Sequence, residues 1–123
     1  MARFVYYNRN PDGSRENDCV TRAISLASGK PYPEIRKKLF HTAKLLGCTK
    51  YCVCCYRFLI EDVLGYKPIK TDYLYASDFL DKNPNGTYLL RMNGHIATGI
   101  DNTLYDIFDS RFYGNLTDAW KID

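Results

Sequence analysis

The sequence predicts an α+β fold, with N-terminal helices packed on a C-terminal antiparallel sheet. Three observations carry this. Apolar residues recur at helical spacing through the first half of the chain, as in Val20, Ala23, Ile24 and Ala27. The last third changes period, and Asn93-Gly94, the strongest short hairpin signal, lies between two β-prone runs. Helices first and strands second is the segregation that defines the class. A length of 123 residues suits one domain, expected over 1–123.

The elements follow in chain order. Arg3–Tyr7 reads as a short strand. Asn8–Asn17 is a loop with Pro11-Asp12-Gly13 as its turn. Asp18 is a favourable N-cap for a helix running to Ser28, and Gly29 closes it. A second helix starts near Pro33, a favoured first-turn residue, buries Ile35, Leu39, Ala43 and Leu46, and stops at Gly47. A third spans Cys52–Leu64, before Gly65, and Ser77 caps a short helix to Lys82. Strands are expected over Thr87–Arg91, His95–Ile100 and Thr103–Asp109, the last two joined by Asp101-Asn102, with Ala119–Ile122 as an added edge.

Composition excludes several classes. The chain is 46% hydrophobic and 25% charged, which does not fit disorder or a collagen-like repeat. No apolar run reaches membrane-spanning length, and the N-terminal residues lack a secretory core, so a cytoplasmic protein without a membrane partner is expected. Basic residues crowd the first 44 positions, nine against four acidic, but the run Arg36-Lys37-Lys38 reads as a solvated helix face, and nucleic acid is a disfavoured partner. The sequence leaves the oligomeric state open.

Five cysteines and two histidines bound the chemistry. Cys48, Cys52, Cys54 and Cys55 fall within eight residues. With His41 they suggest a zinc set of His41, Cys48, Cys52 and Cys54 or Cys55. The spacing lacks the two separated pairs of a structural zinc site, so no metal or other cofactor is expected and the cluster is read as core. Cys19 differs. It follows Asp18 at a helix start, where unpaired N–H groups and the helix dipole lower a thiol's pKa. His95 opens the strand after the hairpin turn. Asp106 and Asp109 lie on the neighbouring strand, where a carboxylate can orient the imidazole.

These residues also carry a resemblance. Asn17-Asp18-Cys19-Val20 with Arg22-Ala23-Ile24, Gly29-Lys30-Pro31-Tyr32, Gly86-Thr87-Tyr88, Gly94-His95, and Tyr105-Asp106 with Asp109-Ser110 resemble the papain-like cysteine peptidase superfamily. More closely they resemble small phage-associated and bacterial proteins of that fold, over about residues 15 to 112. The resemblance implies a Cys-His-Asp triad for acyl transfer: Cys19 as nucleophile, His95 as its partner, and Asp109, with Asp106 second, as the orienting carboxylate. It implies a peptide or protein substrate. The superfamily places a Gln ahead of the Cys to complete the oxyanion hole, and this chain contains no Gln. The Cys19 N–H and the Asn17 amide are the remaining candidates there, with Asn8 or Asn10 folding back from the loop. The expected function is therefore a small cysteine-dependent hydrolase. The alternative is a catalytically silent papain-fold binding module, such as a phage accessory protein acting on a host factor.

Overall fold

In the computed structural model, which describes residues 1–14, 17–73 and 75–122, the helical spacing of the N-terminal half becomes three successive helices. Helix α1 (Cys19–Ser28) buries Val20, Ala23 and Ile24. It ends at Gly29, whose φ of 73° lets its N–H turn back to Ser25 O at 3.0 Å. Asp18 holds the N-cap position, yet its side chain makes no cap bond, because it is committed elsewhere. Helix α2 (Tyr32–Leu46) has Pro33 in its first turn and buries Ile35, Leu39 and Ala43; Leu46, expected in the same stripe, is 40% exposed. Helix α3 (Val53–Phe58) continues as a π-helical turn, Leu59–Val63, so the expected single helix widens halfway. The expected loop over Asn8–Asn17 includes Arg15 and Glu16, which lie outside the described residues.

Strand β1 (Arg3–Tyr6), strand β2 (Lys67–Ile69), helix α4 (Ala76–Lys82) and strands β3 (Thr87–Met92), β4 (His95–Ile100), β5 (Thr103–Asp106) and β6 (Leu116–Lys121) complete the fold. Ser77 sits inside the first turn of α4 rather than capping it; the Asp78 carboxylate instead accepts the Tyr75 N–H at 3.2 Å.

The strands form one six-stranded sheet in the order β1-β5-β4-β3-β6-β2. The meander β3-β4-β5 is as expected, and Met92 pairs with His95 across the Asn93-Gly94 turn. Three features differ. Strand β1 joins β5 in parallel, since the two are far apart in sequence and no hairpin constrains their direction. Strand β2 occupies an edge, where Pro68 is tolerated. Strand β6 is interior, paired with both β3 and β2, and its Trp120 is fully buried.

Alternation along β3 serves two cores. Leu89 joins Ile96, Trp120 and the apolar stripes of α1, α2 and α3. Tyr88, Leu90 and Met92 join Ala97, Leu104 and the α4 residues Phe79 and Leu80. The sheet therefore carries α1–α3 on one face and α4 on the other, a mixed α and β architecture with one helix more widely placed than the expected two-layer packing. Among the described residues, no helix is long and apolar enough to cross a membrane.

Candidate active site

The N-terminus of α1 meets the end of the sheet where β4 begins and β5 stops. Thr98 Oγ1 on β4 donates to Ala23 O at 2.7 Å, which fixes α1 against that strand. Cys19 is the first residue of α1 and His95 the first of β4. The hairpin turn holds His95 in place, with Asn93 and Gly94 both at positive φ. His95 Nε2 lies 2.5 Å from Asp106 Oδ2 on the last residue of β5. On its other side the imidazole faces Cys19, close enough for each group to shift the other's pKa.

The electrostatics of the pair are mutual. Burial raises the Cys19 thiol pKa, but the His95 hydrogen bond and charge, the Ile96 backbone and the charge of Arg22 outweigh it, and the pKa is lowered. Burial alone depresses His95. Hydrogen bonds to Asp106 and Cys19 and their negative charges reverse this and push it up to about 9. Both shifts favour a thiolate beside an imidazolium.

The structure brings Asp106, not Asp109, to His95. Strand β5 ends at Asp106, so Asp109 falls in the turn beyond it, 42% exposed at its side chain and held by Arg111 Nη2 at 2.8 Å. That pair draws the Asp109 carboxyl below its usual value. Asp106, by contrast, is buried and held from three sides. Ser110 Oγ donates to its Oδ2 at 2.7 Å, the Ile107 N–H donates to Oδ1 at 2.7 Å, and Arg22 Nη2 stands 3.8 Å from Oδ1.

Behind this lies a layer that sequence reasoning missed. Arg22, buried, pairs with Asp18 one turn before it on α1 as well as with Asp106. Asp18 also accepts from Tyr32 Oη at 2.5 Å and Asn10 Nδ2 at 3.1 Å. Asn10, a candidate oxyanion donor, thus spends its amide on Asp18, and Asn8 Nδ2 turns to Ser14 O at 2.8 Å. The i, i+4 spacing of Asp18 and Arg22 was the available signal. It normally marks a surface pair, and nothing local says that this one is buried.

Asn17 is exposed and lines a hollow with Val20, Thr21, Leu39, Lys50 and Tyr51. That hollow is not the one lined by Cys19, Arg22, Ala23, Tyr105 and Asp106, which is only about 10 Å³, roughly the space of one water. Asn17 thus lines a different hollow from Cys19. Tyr56 of α3 is buried close enough for the Cys19 charge to act on its hydroxyl, and Arg91 Nε donates to that hydroxyl at 2.8 Å. Phe108 and Tyr113 stack on His95 with ring centroids 4.8 and 5.6 Å away, and their outer faces remain exposed.

The alternative zinc set, His41 with Cys48, Cys52 and Cys54 or Cys55, does not assemble as a whole. His41 is exposed and lines a hollow with Lys38, Phe58 and Val63, and Cys55 is buried with its thiol toward Leu39 O at 3.7 Å. Cys48, Cys52 and Cys54 do converge, their sulfurs all within 4.8 Å of one another. Hydrogen bonding from Cys54 lowers the Cys52 thiol, while Cys54 itself is pushed up to about 11 by its bonds to Cys52 and Cys48. Among the described residues, Cys19 alone of the thiols is paired with a histidine.

No family model, curated protein or solved structure matches the chain.

Proposed function

We propose that the protein is a small cysteine-dependent hydrolase of papain-like type that cleaves an amide or peptide bond by acyl transfer through Cys19, His95 and Asp106. The supporting observation is the Cys19–His95–Asp106 relay at a helix N-terminus, in which each pKa shift favours the thiolate–imidazolium pair. Cys19 Sγ attacks the carbonyl carbon, forming a C–S bond. The Cys19 N–H at the head of α1 stabilises the oxyanion. Tyr56, whose hydroxyl accepts from Arg91 and keeps its own proton, is the second donor in place of the absent Gln. The tetrahedral intermediate collapses as imidazolium transfers its proton to the leaving amine. Neutral His95 then takes a proton from water, which attacks the thioester and frees the acid and the Cys19 thiolate. Asp106 keeps the second ring nitrogen protonated and the ring oriented throughout.

Labelling with a broad cysteine-directed acyl-type probe, read by intact mass and peptide mapping, tests this. A single fast adduct on Cys19 is expected, slowed about 100-fold or more in His95→Ala, the scale of a lost acid–base partner. Equal rates in the two proteins overturn the hydrolase and leave the silent binding module as the reading.

A further inference from the structure

We propose that Cys48, Cys52 and Cys54 form a second, non-catalytic site: a three-thiolate clamp for a soft divalent cation such as zinc at the joint between α2 and α3. The geometry carries it. Cys48 follows the Gly47 stop of α2, Cys52 is the N-cap of α3 and Cys54 lies in its first turn. Cys52 and Cys54 sulfurs are 2.9 Å apart, and Cys54 and Cys48 sulfurs 3.6 Å. No disulfide joins them. Tetrahedral zinc–thiolate bonds of about 2.3 Å place ligand sulfurs about 3.8 Å apart, so one ion draws these three together with small adjustments.

Packing alone does not explain the arrangement. Cys54 is exposed, whereas a cysteine used as a small hydrophobe is among the most buried of residues, as Cys55 is here. Hydrogen bonds between thiols are weak, and three thiols turned toward one another at a surface gain little from them. The backbone is ready for a clamp. Cys48 N–H donates to Ala43 O at 3.0 Å and Cys52 N–H to Thr49 O at 3.1 Å, so the loop that carries the thiols is already turned. Cys55 points into the core and His41 lines a different hollow, so the protein supplies three ligands and solvent takes the fourth position. Binding replaces three S–H bonds by three metal–sulfur bonds and releases up to three protons. Its effect is to staple two helices that a short loop otherwise joins, in the segment of chain between Cys19 and His95.

The 123-residue chain, reduced with a phosphine and freed of metal, is titrated with Co²⁺ alone while thiolate-to-cobalt charge transfer is followed, and Zn²⁺ is then added in competition. One equivalent is expected to develop the band, and Zn²⁺ to abolish it. Cys54→Ser, an exposed position where folding is not at risk, should weaken binding about tenfold or more, at least what an outer-shell change costs. Cys48→Ser should do the same, while Cys55→Ser, His41→Ala and Cys19→Ser leave the band in place. Absence of a thiolate band in the unmodified protein overturns the proposal. So does a band that survives Cys54→Ser and Cys48→Ser, or one that disappears in Cys19→Ser.

Discussion

The pair at Cys19 and His95 has a defined pH window. His95, at about 9 in the folded chain, lies above the ordinary imidazole value of about 6.5, so its contribution to stability is complete below about pH 6.5 and is lost as pH rises through about 9. Cys19 is shifted the other way. Its contribution is present above the ordinary thiol pKa and is lost as pH falls through the lowered value. Acyl transfer should therefore follow a bell, with its alkaline limb near pH 9 and its acid limb below the ordinary thiol range. A pH–rate profile of probe acylation checks this, and an alkaline limb near 6.5 would contradict the Asp106 contact. Asp106→Asn should slow Cys19 acylation by about 10²- to 10⁴-fold and pull that limb down, whereas Asp109→Asn, removing only a surface pair with Arg111, should change neither. Arg22→Met leaves Asp18 and Asp106 buried without their shared cation, and urea denaturation should show a loss of about 3–5 kcal/mol. At this scale Cys19 and His95 were legible because each stands at an element boundary with a strong local signal. The choice between Asp106 and Asp109 was not, since it depends on where β5 stops, and the Phe108 stacking on His95 beside the following turn is a tertiary contact.

Among the elements, the helices and the β3-β4-β5 meander follow from local pattern, because glycine stops and Asn-Gly turns mark their limits. Strands β2 and β6 depend on each other. A three-residue strand containing Pro68 has no signal of its own, and it forms because β6 offers Trp120 and Lys121 as partners. Trp120 further ties β6 to the π-helical turn, its Nε1 donating to Glu61 Oε2 at 2.8 Å. Gly99 shows a packing constraint inside a strand. A Cβ there would meet Leu80 Cδ2 at 2.6 Å, so the Leu80 side chain of α4 fills space that a side chain on this strand would take. Gly99→Ala should cost about 1–3 kcal/mol by forcing the buried Leu80 to move, and thermal denaturation measures it; an unchanged midpoint would mean that Leu80 repacks freely.

For the whole molecule, two cores share one sheet, and α4 lies across the face that α1–α3 do not use. The order of helices and strands predicted the class but not this second layer, since a seven-residue helix between two loops carries too little periodicity to announce which face it covers. Removing residues 115–123 takes away an interior strand and its buried tryptophan. Such a chain should lose cooperative unfolding by circular dichroism and also lose selective labelling of Cys19; a cooperative transition in the shortened chain would show that β6 is dispensable.

The interior place of β6 has a consequence for the order in which the fold can close. Cys19, His95 and Asp106 come from three separate stretches of chain, and β3, which braces the His95 hairpin, has an open edge until β6 pairs there. The segment that closes the sheet contributes no side chain to the candidate site, so folding of the site waits on residues that do not belong to it.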